Sequence, residues 1–116
     1  MTKRADAEAV RNAVLDYFQG WFEGDAARMD RALHPELVKR RAGDELGVTT
    51  KERMVELTRQ GAGIDDRADG RIDIEITAHD GDIASATVRT AVYTEYVHLV
   101  RTQDGWKIAN ALWRLT

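Results

Sequence analysis

Cysteine is absent from the 116-residue chain, which excludes a disulfide framework, a thiolate nucleophile and a Cys-ligated zinc site. Long apolar runs are absent too, since none approaches the ~20 residues that cross a bilayer. The opening segment, Met1-Thr2-Lys3-Arg4-Ala5-Asp6, lacks the apolar stretch of a secretory leader, so a cytoplasmic protein is the expectation. Positive charge is not in excess: 17 Lys and Arg stand against 20 Asp and Glu. The basic stripe of a nucleic-acid binder is therefore missing, and neither nucleic acid nor a membrane is an expected partner. The three histidines show no His-Glu-x-x-His spacing. No phosphate loop, dinucleotide fingerprint or nucleophile elbow occurs either. No metal and no cofactor are expected.

What the chain does hold is most informative near its end. Glu95 through Leu115 reads as two long strands joined at Asp104-Gly105, a dipeptide that accepts the positive φ angles of a tight hairpin. Strict alternation puts Trp106, Ile108 and Leu112 on one side of the second strand, with Asn110 among them. Ala109, Ala111, Trp113 and Leu115 fall on the other. Two largely apolar faces need two covers, which implies helices on one and a second subunit on the other.

Upstream, Val10, Ala13, Val14, Tyr17, Phe18, Trp21 and Phe22 recur at helical spacing. Gly24 ends that helix and Asp25 N-caps a shorter one, which turns Met29, Ala32 and Leu33 inward and stops at His34-Pro35. Leu37 to Arg41 is a candidate short strand. Thr49 and Glu52 are spaced as a capping box for a third helix that buries Met54, Val55, Leu57 and Thr58. Gly61 to Gly70 is a polar, glycine-rich loop, expected to be mobile. Ile72, Ile74 and Ile76 alternate with charged residues as a strand with one wet face, and His79-Asp80-Gly81-Asp82 turns it back. The next 19 residues, Ile83 to Arg101, contain no glycine or proline. Extended, they would span about 63 Å at ~3.3 Å per residue, against about 35 Å for a domain of this length. The run must bend, and Val92 to Glu95 is the expected place. Helices followed by a strand meander give an α+β fold, one domain over residues 1–116 with the helices laid on one sheet face.

Specific segments accompany that order. They are Tyr-Phe-x-Gly-Trp-x-x-Gly-Asp from Tyr17 to Asp25, Ala32-Leu33-His34-Pro35, Thr50-Lys51-Glu52 with Met54-Val55, Glu95-Tyr96-Val97-His98-Leu99 and Trp106-Lys107-Ile108. Together they resemble the nuclear transport factor 2-like superfamily, and in it the SnoaL-like branch of small bacterial proteins described as putative lumazine-binding. The resemblance implies a cone-shaped fold, with three N-terminal helices packed on a strongly curved, mostly antiparallel sheet around a deep pocket. It also implies a homodimer paired through the outer sheet face. The superfamily holds isomerases, dehydratases, cyclases, epoxide hydrolases and non-catalytic binders, so fold alone leaves the reaction open.

Tyr17 shares the apolar stripe with Trp21, so its buried hydroxyl needs a partner. In the superfamily's ketosteroid isomerases a tyrosine seven residues before a similar Gly-Asp step donates to the substrate oxygen, and Tyr17 has that spacing to Gly24. The alternative is a core tyrosine bonded to a carbonyl. Glu95 falls roughly where those isomerases carry a pocket acid; desolvation of a carboxyl group favours its proton-donating form. A solvated turn glutamate is the alternative. The isomerases' general base would fall in Lys39-Arg40-Arg41, where all three residues are basic, which argues against their route. A cation there suits an anionic or carbonyl-rich ligand, although at least two of the three are expected to point to solvent. His34 is a candidate acid or base, or else a cap for the preceding helix. His98 reads as a sheet histidine and His79 as an exposed turn residue.

Trp21, Met29, Met54, Ala109, Ala111 and Trp113 are the expected walls of a pocket for a planar or aliphatic small molecule. Two functions follow. In the first, a small-molecule pocket protein binds its ligand and acts, if it is an enzyme, as an isomerase, dehydratase or cyclase through Tyr17, His34 and Glu95. In the second, a non-catalytic dimeric module fills the same space with its own side chains.

Overall fold

The apolar stripe at the chain's start forms α1 (Lys3–Glu23), which buries Val10, Val14, Tyr17, Phe18 and Phe22. This computed structural model describes residues 3–116; Met1 and Thr2, which open the segment read for a leader, lie outside the described residues. Gly24, at φ 69°, ends the helix in the left-handed conformation that costs glycine least. Asp25 then caps α2 (Ala26–Ala32), its side chain accepting from the Arg28 N–H at 3.2 Å. Asp16 ties α2 to α1 by accepting from Arg28 Nε and Arg31 Nε, each at 3.0 Å. Burial opposes the ionisation of Asp16, but hydrogen bonds and charge from Arg31 and Arg28 outweigh it and hold the carboxyl below its usual value.

The helical stop falls at Ala32, and the strand β1 (Leu33–Arg41) begins at once, earlier than the expected Leu37. A short strand that periodicity did not reveal, β2 (Gly47–Thr49), pairs with it. Next comes α3 (Lys51–Arg59), capped by Thr50 rather than Thr49: the Thr50 hydroxyl accepts from the Arg53 N–H. That one-residue offset leaves Glu52 out of the reciprocal capping box.

Four strands follow: β3 (Ile72–Asp80), β4 (Ile83–Thr90), β5 (Tyr93–Thr102) and β6 (Gly105–Leu115). The long glycine-free run does reverse, at Ala91-Val92, overlapping the expected bend at its first residue. The six strands form one mixed sheet in the order β2-β1-β6-β5-β4-β3, in which only the β1–β6 pairing is parallel. The helices cover one face, so the architecture is α+β as expected. Among the described residues no helix is long and apolar enough to cross a membrane.

Two β-bulges decide which side chains face the helices. On β6, Ile108 pairs with Leu99 and Asn110 pairs with His98, so Ala109 is an extra residue without a partner. The inward set is therefore Trp106, Ile108, Ala111 and Trp113, not the two sets that strict alternation assigns. Trp106 and Ile108, expected on a dimer face, are buried in the core, while Ala109, expected on a pocket wall, borders a cleft on the outer face. Thr77 is the corresponding extra residue on β3. It turns His79 inward, where its ring meets Trp106 edge-on at 5.7 Å and Nε2 lies 3.7 Å from buried Asp6. His79 is thus a packed strand residue rather than an exposed turn residue.

Candidate functional site

Register brings four elements to one place between α1 and the sheet. Glu95 on β5 sits opposite Trp113 on β6, and Arg41 and Lys39 on β1 lie beside Trp113 and Ala111. Ala111 is small, so the Lys39 chain crosses the inner sheet face and reaches Tyr17 on α1. Lys39 Nζ donates to the Tyr17 hydroxyl at 2.5 Å and lies 3.8 Å from Glu95 Oε1. The aromatic rings of Tyr17, Trp113 and Trp21 surround that amine at 5.1, 5.3 and 5.9 Å from their centres, distances at which a cation is attracted by the ring face.

The electrostatics follow from burial. Glu95 is 2% exposed, and its Oε2 has no hydrogen-bond partner among the described residues. Burial pushes the Lys39 ammonium below its usual value, while the Glu95 carboxylate pulls it back up. Burial, reinforced by the adjoining Glu95 charge, holds the Tyr17 hydroxyl protonated well above the ordinary tyrosine range. Because Tyr17 oxygen accepts from Lys39, its own proton is directed to the Glu95 carboxylate, and that hydrogen bond adds to the upward shift. An amine, a phenol and a carboxyl group thus converge in an aromatic surround, with one carboxylate oxygen unsatisfied. Such a group is costly to bury and marks a place where a polar partner would be gained.

The glycine-rich loop borders this group instead of hanging free. Gly63 packs flat on the Trp21 indole: a methyl group built there would lie 2.4 Å from Trp21 Cδ1 and Nε1. The next residues form a 3-10 turn (Ile64–Arg67), and its Asp66 accepts from the Tyr93 hydroxyl. Tyr93 in turn accepts from Trp21 Nε1 at 3.3 Å and meets Trp113 edge-on at 5.5 Å. Burial, with the hydrogen bond to Asp66, pushes the Tyr93 hydroxyl up to about 12.

Of the residues singled out in the sequence, Tyr17, Glu95, Trp21 and Trp113 come together, and Lys39 joins them from the basic triplet, whose Arg40 and Arg41 are exposed. Ala111 lies beside Lys39. His34 does not join. Its Nδ1 accepts from the Glu36 N–H at 3.0 Å, and it borders a separate cleft of about 450 Å³ with Asp30, Lys51 and Lys107. Met29 and Met54 are fully enclosed core residues of α2 and α3. His98 is exposed on the outer face beside Asn110. Tyr93 and Asp66 were missed; the signal for Tyr93 was its position two residues before Glu95, on the same strand face. No signal local to Asp66 points to its role, because a long loop brings it there.

Among the described residues, no three His, Cys, Asp or Glu side chains are grouped to hold a metal ion. A family model described as putative lumazine-binding matches residues 5–114. No curated protein matches the chain. Solved structures do. A nuclear transport factor 2-like protein of unknown function from Silicibacter pomeroyi is 18% identical over the full length of both chains, with a TM-score of 0.76. One from Shewanella baltica is 13% identical, covering 100% of this chain and 98% of its own, at 0.77. A ketosteroid isomerase-like protein from Erwinia carotovora atroseptica is 16% identical over 98% of each chain, at 0.67. At these identities the likeness shows a shared fold. The match along nearly all of the sequence shows more: this chain belongs to the putative lumazine-binding family, within the nuclear transport factor 2-like fold.

Proposed function

We propose that the chain binds a planar, largely apolar small molecule carrying a carbonyl or anionic oxygen, seated in the cone between α1 and the inner sheet face. Lys39 and Tyr17 would meet that oxygen, and Trp21 and Trp113 would flank the ring. The observation that carries this reading is the buried Lys39 amine, ringed by three aromatic side chains beside a carboxylate with an unsatisfied oxygen. A purely structural interior gains little from such a group, because hydrophobic replacement of a buried ion pair is often neutral or stabilising. The family's description fits the same chemistry, since lumazine is a flat pteridinedione with two ring carbonyls. Isomerisation, dehydration or cyclisation would each need a base at the ligand. We assign that role to Glu95, which lies 3.8 Å from the Lys39 amine, because His34 faces another cleft.

A homodimer through the outer sheet face is part of the proposal. Tyr96 and Leu112 are 53% and 44% exposed there, beside a cleft of about 510 Å³ that they line with Leu46 and His98. The competing reading, a non-catalytic dimeric module, keeps that face and leaves the interior without a ligand.

Tryptophan fluorescence and thermal shift with lumazine and other flat carbonyl compounds test the proposal. A saturable quench with a raised Tm, weakened at least tenfold in Lys39→Met, supports ligand binding. A panel that neither quenches nor stabilises supports the interaction module. Light scattering of the wild type and of Leu112→Asp reads the dimer: a wild type that is already monomeric overturns that part.

A further inference from the structure

We propose that Lys39 captures an aldehyde or ketone covalently as an imine, with Glu95 handling the proton that leaves with water. The inference rests on the ligand-binding reading and deepens it, by naming reactive carbonyl compounds as the ligand class.

Three observations support it. The Lys39–Glu95 separation of 3.8 Å is an ion pair too long for a good hydrogen bond, so neither group is used up by the other. Glu95 keeps an oxygen with no partner among the described residues, available to a proton or to a substrate hydroxyl. The surrounding rings exclude water, which favours condensation, while Trp21 and Trp113 beside the amine are each half-buried rather than fully enclosed. Burial also eases loss of the ammonium proton, and desolvated lysines are the ones that serve as amine nucleophiles. Lys51 and Lys107 differ in kind. They donate to backbone carbonyls, of Leu33 at 3.1 Å and of Arg31 at 2.7 Å, away from any aromatic wall.

The steps balance without an added reagent. The Lys39 ammonium passes a proton to Glu95 and the free amine attacks the carbonyl carbon, giving an alkoxide on a protonated amine. Tyr17, bonded to Nζ, relays the nitrogen proton to that oxygen and yields a neutral carbinolamine. Glu95 then returns its proton to the hydroxyl, the C–O bond breaks and water departs. What remains is an iminium on Lys39 paired with the Glu95 carboxylate.

The test uses the full chain, 6-methoxy-2-naphthaldehyde as a flat probe, and sodium cyanoborohydride to trap the imine at pH 7. Mass spectrometry then compares the rate of label at Lys39 with that at Lys3, Lys51 and Lys107. Labelling of Lys39 at least tenfold faster than the others is the expected result. Glu95→Gln is expected to slow it at least tenfold at saturating aldehyde. If that variant fails to fold, the ratio among the wild-type lysines decides. Equal labelling of the lysines overturns the proposal, and an unchanged rate in folded Glu95→Gln overturns the role given to Glu95. The corresponding naphthyl alcohol, which cannot form an imine, separates the two levels of inference. Saturable binding of the alcohol without a Lys39 adduct overturns imine capture and leaves ligand binding standing; absence of both overturns both.

Discussion

Removing Lys39 while keeping Glu95 would strand a carboxylate that is only 2% exposed. At the observed 3.8 Å, the attraction between the two charges is about 4 kcal/mol for an effective dielectric near 20. Dehydrating the two ions costs several kcal/mol each, so the pair as a whole contributes little net stability. Either single replacement loses the attraction but keeps one dehydration penalty, for an expected cost of ~3–5 kcal/mol. An unfolding entropy of ~2.1 cal/mol/K per residue over 116 residues gives ~0.24 kcal/mol/K, so each single variant should melt about 12–20 °C lower. Lys39→Met with Glu95→Met removes both ions at similar volume. It should lie within ~2 kcal/mol of the wild type, far from the sum of the singles. Urea denaturation followed by tryptophan fluorescence at pH 7 measures the cycle. Singles that each cost under ~1 kcal/mol and add simply would refute the reasoning, because they would mean that the pair is hydrated. The pH dependence supplies an independent check. With the folded value of Lys39 held below 10.5, the folded state binds fewer protons than the unfolded chain. Its burial penalty is therefore relieved as pH rises from the folded value toward 10.5, and Lys39→Met should lose that gain.

Three further outcomes follow from the same geometry. Gly63→Ala should drive the loop or the Trp21 ring aside at a cost of ~1–3 kcal/mol, or about 4–12 °C in Tm. Gly47→Ala, where an added methyl meets nothing within 4 Å, should stay within ~0.5 kcal/mol; an equal Tm for the two would show that the loop does not rest on Trp21. Asp6→Asn weakens the contacts from Arg101 Nη1 at 3.3 Å and Trp106 Nε1 at 3.4 Å, so hydrogen exchange should rise in the first turns of α1, and unchanged protection there would refute a clasping role. Tyr93, held at about 12 against an ordinary 10.0, contributes stability that is fully present below pH 10 and lost as pH rises to about 12. Tyr93→Phe should make that alkaline decline shallower, and an equally steep limb would assign it to other groups.

Helix positions were legible because their signals are local. The stripe from Val10 to Phe22 repeats at 3.6 residues, and the Gly24-Asp25 stop and cap act within one turn. Tyr17 stood out as a hydroxyl on an apolar helix stripe, and Trp21 and Trp113 as large rings on apolar faces, whereas Glu95 was singled out only through the resemblance to the ketosteroid isomerases. The same reasoning misplaced His34, whose side chain turns to the Glu36 backbone, and the methionines Met29 and Met54, which helix packing encloses completely.

By itself the sequence determined the α+β class, the helix faces, the reversal within Ile83 to Arg101 and the absence of thiol chemistry. These rest on composition, periodicity and chain length, which involve no distant partner. Tertiary structure alone decided the phase of β6, because a bulge exists only relative to the neighbouring strand: Ala109 is extra only against His98 and Leu99. It also decided that Lys39, rather than Arg40, faces inward to Tyr17, with Arg41 on the same strand face over Trp113, and that a loop thought mobile lies across Trp21 and holds Tyr93 through Asp66. Those contacts join residues as far apart as 17 and 95. The register of β1, β6 and β5, with α1 and the loop packed on that sheet, brings them together, and both register and packing are properties of paired elements, not of either alone.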